Sequence, residues 1–219
     1  MAAAWLMAID TTAEVGSLAL LRDGHTVDEV QLQSPEGFGH LVFGAIEAML
    51  ARHELQASAI VCFAGATGPG SFTGVRVGLT VVKGLGEAVG CPVVGVSNLQ
   101  ALAAFGTSAI RAVVLDARRT EVYGAVYDAA LRCVHEETVI RFADWLQSLP
   151  AEAEVIAQNF TPFADALPDR KMTVAPRALA AAMGQIAWKE FSNGRAVDPA
   201  ALDANYVRRS DAELLWKEQ

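Results

Sequence analysis

The chain has 219 residues, which is enough for one or two domains, and 53% of them are hydrophobic, which is ample for a core. Its formal charge of −8 argues against the chain alone binding nucleic acid by neutralising phosphates, so a nucleic-acid role would need a partner or a local patch. The three cysteines are widely spaced and imply neither a disulfide framework nor a zinc site.

The sequence carries no recognisable export or membrane signal. The N-terminus lacks a basic segment followed by a long apolar one. No uninterrupted apolar stretch approaches the roughly 20 residues of a membrane span. We therefore expect a cytoplasmic protein with no membrane association.

Apolar runs bounded by turn residues predict a mixture of strands and helices in the first half of the chain. Strands are expected at 5–9, 16–21, 27–33, 59–64 and 92–96, and helices at 38–54, 73–89 and 98–105. In the first of these helices Leu41, Ala45 and Met49 recur at helical spacing.

A glycine-rich turn at 65–70 is predicted between the strand at 59–64 and the next helix. Gly68 and Gly70 flank Pro69, so the backbone can take positive φ beside it, and Ser71 or Thr73 can cap the helix. A strand, a glycine turn and a helix N-terminus favour an anion site, although the turn can equally serve only as a connection. The glycine spacing matches neither a Walker P-loop nor a Rossmann turn, and no nucleophile elbow is present.

The helix at 73–89 combines many glycines with many apolar residues. Its four glycines, at 74, 78, 84 and 86, each cost roughly 1 kcal/mol relative to alanine in a helix interior. Its apolar residues reach around more than one face, which predicts burial on two sides. One side has to face its own sheet, and the other faces either another helix of the chain or a second protein.

A weaker copy of the first half begins near 106–108, where we place a domain boundary. The run 112–116 ends at Asp116 as the run 6–10 ends at Asp10, and 121–124 echoes 14–17. Further strands are expected at 138–141, 154–157 and 172–175, and helices at 142–149, 177–191 and 211–218. Such an internal repeat predicts a duplicated fold.

Four stretches, at 8–12, 68–78, 95–99 and 116–123, resemble the TsaB (YeaZ) family, and the string Gly-Pro-Gly-Ser-Phe-Thr-Gly at 68–74 is a specific part of that resemblance. The resemblance implies an α/β protein of the ASKHA (actin/Hsp70/sugar-kinase-like) class. Its two ribonuclease-H-like halves would have mixed sheets flanked by helices. The halves would be 1–106, with a tail at about 199–219 packing back on it, and 107–198.

The resemblance also implies a function without catalysis. The chain would be a scaffold and activating subunit, with no cofactor, of the complex that transfers threonylcarbamoyl to adenosine 37 of tRNA. It would pair with TsaD, meet the ATPase TsaE and tRNA through the complex, and form a homodimer when alone. The expected TsaD interface consists of Phe38, His40, Leu41, Val75, Gly78, Leu79 and Val82. No metal is expected, because the His-x3-His pair of TsaD is matched here by His40 and Gly44.

The alternative is an ATP-dependent kinase or ATPase of the same class that uses Asp10 and the turn at 68–74. By the resemblance, Asp10 matches an aspartate that helps to hold metal-bound phosphates, and Asp116 is its counterpart; both can instead cap local N–H groups. No Gly-Gly adenine turn is found in the second copy, and an arginine pair stands where active enzymes keep small residues, although its charge can bind an anion. The residues expected near an anion or nucleotide are Asp10, Thr11, Gly68, Gly70, Ser71, Arg118 and Arg119.

Overall fold

The computed structural model describes residues 3–163, 166–167 and 170–207 of the chain. These residues form two compact units. The first unit holds the described residues of Met1–Ala101 and Pro176–Ala204, and the second holds those of Leu102–Ala175 and Asn205–Gln219. Each unit is built on one five-stranded sheet.

The described residues form ten strands and five α-helices. The strands are β1 (Trp5–Asp10), β2 (Val15–Arg22), β3 (His25–Gln33), β4 (Ile60–Gly68), β5 (Val93–Ser97), β6 (Ile110–Arg118), β7 (Glu121–Asp128), β8 (Cys133–Arg141), β9 (Glu154–Ala157) and β10 (Met172–Val174). The helices are α1 (Val42–Arg52), α2 (Phe72–Val89), α3 (Asn98–Ala103), α4 (Phe142–Ser148) and α5 (Ala180–Ser192), with 3₁₀ turns at Ala57–Ala59 and Pro199–Ala201. No helix in the described part of the chain has the length and apolarity needed to cross a bilayer.

The two sheets repeat one topology. The first has the order β3-β2-β1-β4-β5 and the second β8-β7-β6-β9-β10. In each, three antiparallel strands are followed by two that run parallel to the first strand of the unit. The duplicated α/β fold of ASKHA type, predicted from the internal repeat and the resemblance, is confirmed.

In the first unit, α1 and α2 cover one face of the sheet. Because successive residues of a strand point to opposite faces, Leu18 and Leu20 of β2 lie on the side of these two helices. Both leucines belong to the same core cluster as Val42 and Ile46 of α1 and Val82 of α2. The parallel strands β1, β4 and β5 end at one edge of this sheet, and α2 starts there.

The opposite face of the first sheet is covered by α5. The hydroxyl of Ser17 on β2 accepts the N–H groups of Leu179 and Ala180 at 3.2 and 3.0 Å, which anchors the start of this helix. A Cβ on Gly184 would lie 2.2 Å from Leu21, so the helix needs glycine to approach the strand. The sequence pattern assigned this segment to the half 107–198, whereas its packing groups it with the first unit.

Two local features differ from the sequence-based predictions. The strand β4 continues to Gly68, into the expected turn, because it keeps pairing with β5 as far as Ser97. The first helix starts at Val42 rather than residue 38: residues 39–41 form a turn, and the Phe38 ring is buried next to Gly16. The predicted helix at 211–218 and most of the tail lie outside the described residues.

In the second unit, the buried carboxylate of Glu154 ties β9 to its neighbours. It accepts the backbone N–H groups of Thr107 and Ser108 at 2.8 and 2.6 Å and the hydroxyl of Thr173 at 2.5 Å. The Lys171 ammonium lies 3.6 Å away. Burial raises the pKa of Glu154, but these hydrogen bonds outweigh it and lower the pKa to about 2.

We predict that Glu154→Gln destabilises the protein at pH 7 by about 2 kcal/mol, because an amide cannot accept all the bonds that the carboxylate accepts. The native pKa lies below the ordinary value of 4.5, so the stabilisation is complete above about pH 4.5 and is lost as the pH falls toward 2. Urea unfolding at several pH values between 7 and 3 measures both effects. Glu152→Gln, at an exposed position, is the control. If the free energy of unfolding had the same dependence on pH in wild type and Glu154→Gln, the lowered pKa would not belong to Glu154.

Candidate functional site

The carboxyl end of β1 carries a fully buried aspartate. Asp10 is 0% exposed, and its Oδ1 accepts the Thr12 N–H at 2.9 Å and the Thr12 hydroxyl at 2.6 Å. Its buried Oδ2 has no hydrogen-bond partner among the described residues. Burial raises the pKa of Asp10, and the opposing hydrogen bonds from Thr12 are too weak to reverse it.

A buried asparagine connects this turn to the glycine turn. The Asn98 amide donates to the Thr12 hydroxyl oxygen at 2.6 Å, and its Oδ1 accepts the Gly68 N–H at 3.1 Å. The ends of β1 and β4 and the start of α3 are therefore linked by one hydrogen-bonded chain that begins at Asp10. A buried polar network of this kind specifies its geometry strongly, since any unpaired member is costly.

Gly70 of the turn and Gly74 of α2 lie directly against the Thr11–Thr12 backbone. A Cβ on Gly70 would lie 2.7 Å from the Thr12 carbonyl oxygen, and one on Gly74 would lie 2.0 Å from the Thr11 carbonyl oxygen. The Thr11 hydroxyl donates to the Gly74 carbonyl at 2.7 Å, and Ser71 N–H donates to the Thr12 carbonyl at 2.7 Å. These glycines are needed because two backbone segments touch.

Three amides of the glycine turn and the start of α2 are bonded within the chain. Ser71 N–H is bound to Thr12, Gly68 N–H to Asn98, and Gly74 N–H reaches the Ser71 hydroxyl at 3.3 Å, which caps α2 as expected. Asp10, Thr11 and Thr12 are 0%, 1% and 4% exposed. Asp10 and Thr11, which were expected near phosphate, therefore face the chain's own backbone, whereas Gly70 and Ser71 are exposed.

The second copy contains the same aspartate turn in a more open form. Asp116 Oδ1 accepts the Arg118 N–H at 2.7 Å, as Asp10 accepts the Thr12 N–H, so each aspartate caps the amide two residues on. Arg118 and Arg119 are exposed and line a cleft in the second unit. The residues expected near an anion thus divide between the two units.

Most of the predicted partner-interface residues lie in the core of the first unit. Phe38, Val75, Leu79 and Val82 belong to its hydrophobic cluster, and a Cβ on Gly78 would lie 2.6 Å from the Thr11 hydroxyl. Of the other two, His40 is exposed and Leu41 is half-buried. These residues were expected at a partner interface, but most of them are buried in the core. The reason is that the most apolar side of α2 packs on the sheet, so that the opposite side of the helix is the exposed one.

The outward side of the two helices carries exposed aromatic and small residues that the sequence-based prediction did not include. We define the exposed face as Phe43, Gly44, Glu47, Ala48 and Ala51 of α1 and Phe72, Thr73, Arg76, Thr80, Gly84, Glu87 and Ala88 of α2. Phe43 is 57% and Phe72 49% exposed, and the Arg76 guanidinium lies 3.8 Å from the centre of the Phe72 ring. A Cβ on Gly44 or Gly84 would meet nothing within 4 Å. The spacing of these residues between the apolar ones was the signal available in the sequence.

Potential metal ligands are scattered rather than clustered. In the described part of the chain, no three His, Cys, Asp or Glu side chains are grouped so that they could hold a metal ion.

We predict opposite effects of alanine at two glycines of α2. Gly74→Ala should lower the free energy of unfolding by at least about 2 kcal/mol, because the new methyl group collides with the Thr11 backbone. Gly84→Ala should raise it by about 0.5–1 kcal/mol, because the position is open and alanine favours the helix. Urea denaturation measures both, and similar stabilisation by the two variants would show that α2 does not press on Thr11.

Comparison with known proteins gives a consistent set of relatives. The family model described as "TsaD: tRNA N6-adenosine threonylcarbamoyltransferase" matches residues 39–188. The tRNA threonylcarbamoyladenosine biosynthesis protein TsaB of Bacillus subtilis is 31% identical over 66% of this chain and 65% of its own length. The protein of the same name from Haemophilus influenzae is 38% identical over 54% of this chain and 51% of its own length. The chain thus spans less than two thirds of either relative.

A solved structure extends the match to nearly the whole chain. YeaZ from Pseudomonas aeruginosa superposes with a TM-score of 0.79 at 25% identity, over 93% of this chain and 99% of that one. This coverage agrees with the family resemblance that was based on the glycine string and the aspartate turns. The chain belongs to the family described by the TsaD model and, within it, to the TsaB (YeaZ) proteins.

Proposed function

We propose that the chain is a non-catalytic scaffold and activating subunit of the complex that transfers threonylcarbamoyl to adenosine 37 of tRNA. The names of its relatives, which refer to threonylcarbamoyladenosine biosynthesis, support a role of the chain in that pathway. In this proposal the chain pairs with TsaD, meets TsaE and tRNA through the complex, and works in the cytoplasm. The observation that carries the non-catalytic role is the enclosure of Asp10.

A kinase or ATPase of this class needs an aspartate that reaches metal-bound phosphates. Asp10 is fully buried, and the Ser71, Gly68 and Gly74 amides beside it are bonded to Thr12, Asn98 and Ser71. Binding a phosphate at this place would require α2 to move off the Thr11–Thr12 backbone. That contact is too close to yield without breaking the Thr11–Gly74 hydrogen bond of 2.7 Å. The geometry therefore favours a silent subunit over the kinase alternative.

We predict that the chain alone gives no heat on titration with Mg-ATP at millimolar concentration.

In the reconstituted complex, Asp10→Asn should change the rate of threonylcarbamoyl transfer by no more than about twofold, because in this proposal the carboxylate takes no part in the reaction. A catalytic aspartate would instead lower the rate on the order of 100-fold. A loss of that size, in a variant whose circular dichroism matches wild type, would favour the enzyme.

The exposed face of α1 and α2 is the surface proposed for TsaD. It combines two half-exposed phenylalanines with small residues and with three charged ones, Glu47, Arg76 and Glu87. Exposed apolar groups such as these phenylalanines mark interaction sites. Small residues such as Gly84 and Ala88 allow the backbone of a partner helix to come close. In the chain alone, the same face is proposed to form the homodimer.

We predict that Gly84→Arg abolishes co-elution with TsaD on size exclusion and turns the isolated chain into a monomer. The arginine has open space at this position, so the fold is retained while the approach of a second helix is blocked. Gln185→Arg, on the exposed side of α5, is the matched control and should co-elute like wild type. Equal co-elution of Gly84→Arg and Gln185→Arg would reject the interface. Gly78 is unsuitable for this test, because a side chain there would collide with the Thr11 hydroxyl, and lost co-elution would then not distinguish a blocked interface from a damaged fold.

A further inference from the structure

The turn between β6 and β7 borders a cleft of about 530 Å³ within the second unit. The cleft is lined by this turn, by the junction of β8 and α4, and by Pro162 and Phe163. The site at Asp10 belongs to the other unit and does not use it. The cleft therefore needs an explanation of its own.

The charges around the cleft favour an anion. Three exposed arginines line it, Arg118, Arg119 and Arg141, against the two carboxylates of Asp116 and Glu121. The Arg118 side chain is 83% exposed and lies 3.8 Å from the Asp116 carboxylate, a pairing that solvent weakens. Positive groups thus predominate here, although the whole chain has a formal charge of −8.

The cleft also offers aromatic surface. The rings of Phe142 and Phe163 lie with their centres 4.6 Å apart at an angle of 32°, and Phe142 is half-buried at the cleft. Arginines beside an aromatic face are the combination that binds unstacked nucleotides, since the base stacks and the phosphate pairs with the guanidinium.

The arginines are presented by an unfavourable backbone. Arg118, Arg119 and Thr120 have φ values of 66°, 55° and 63°, in the left-handed region where glycine is the ordinary residue. A turn that served only to connect two strands would gain stability from glycine. Backbone conformations of this kind cluster at sites where the side chains have a function.

We propose that this cleft binds an unpaired nucleotide of an RNA strand, with the arginines at the phosphates and the base against Phe142. The proposal rests on the proposed function, in which the complex brings a tRNA to this subunit. The cleft would supply the local positively charged patch that an acidic chain needs for any contact with RNA.

An RNA strand fits the cleft better than a free di- or triphosphate does. Sites for free nucleotides gather backbone amides from a glycine turn or a helix N-terminus around the phosphates. Here the Arg118 amide is bonded to Asp116 at 2.7 Å and the Phe142 amide to the Thr120 carbonyl at 3.2 Å. Arginines carried on two separate elements instead suit the successive phosphates of a strand.

The test is the double variant Arg118→Gly/Arg119→Gly in the assembled complex. Glycine suits both φ values, so the variant should unfold at a higher urea concentration than wild type. Its affinity for tRNA, measured by fluorescence anisotropy, should nevertheless fall about tenfold. The slope of log affinity against log salt should also become shallower by about two. Arg132→Gly is the control, because that exposed arginine lies in the β7–β8 turn beside Asp128, and it should leave tRNA affinity unchanged.

A higher urea midpoint together with a lower affinity for tRNA supports the proposal. Unchanged affinity and salt slope in a complex that still assembles would overturn it and leave the proposed function intact. Displacement of RNA from the cleft by millimolar ATP would assign the site to a free nucleotide and also overturn it. If the chain does not pair with TsaD, the proposed function fails separately. The same variants are then compared on the chain alone with single-stranded RNA at low salt, where equal binding by wild type and double variant would reject the cleft.

Discussion

A backbone contact between the Thr11–Thr12 turn and the glycines at the start of α2 holds the first unit in its observed arrangement. The Thr11 hydroxyl is bonded to the Gly74 carbonyl, and no side chain fits between the two segments at Gly74. Each helical glycine would cost stability by itself. The close packing and the hydrogen bonds that it allows offset that cost, so the glycine string is explained within the chain.

The same contact has consequences on both sides of α2. On the inner side it encloses Asp10, whose carboxylate is bonded to Thr12 and reaches no open surface. On the outer side it holds the helix at a fixed rotation, so that Phe72, Thr80 and Gly84 face outward. The enclosure of Asp10 and the orientation of the outward helix surface therefore have one structural cause.

The duplicated topology makes the two aspartate turns directly comparable. Asp10 and Asp116 cap the amide two residues on, at 2.9 and 2.7 Å. In the first unit the following residues are threonines that are buried against glycines. In the second unit the buried Ala117 follows the aspartate, and the next two residues, Arg118 and Arg119, are exposed beside a cleft in left-handed backbone. The two units therefore share the geometry of the turn, whereas the side chains after it differ in burial and charge.

Local patterns were enough to predict most strands, the internal repeat and the glycine turn that leads into α2, because these follow from periodicity and from the spacing of glycine and proline. These patterns did not predict which residue packs against the glycines, because the absence of a Cβ permits a close approach without specifying the neighbour. Only the folded chain shows that Thr11 fills this place, and that Val75, Leu79 and Val82 point into the core. The packing of α5 on the first sheet, and the meeting of Arg141 and Phe142 with Arg118 at one cleft, likewise emerge only on folding. The rotation of a helix about its axis and the neighbours of a distant segment depend on the whole packed sheet, which no local pattern contains.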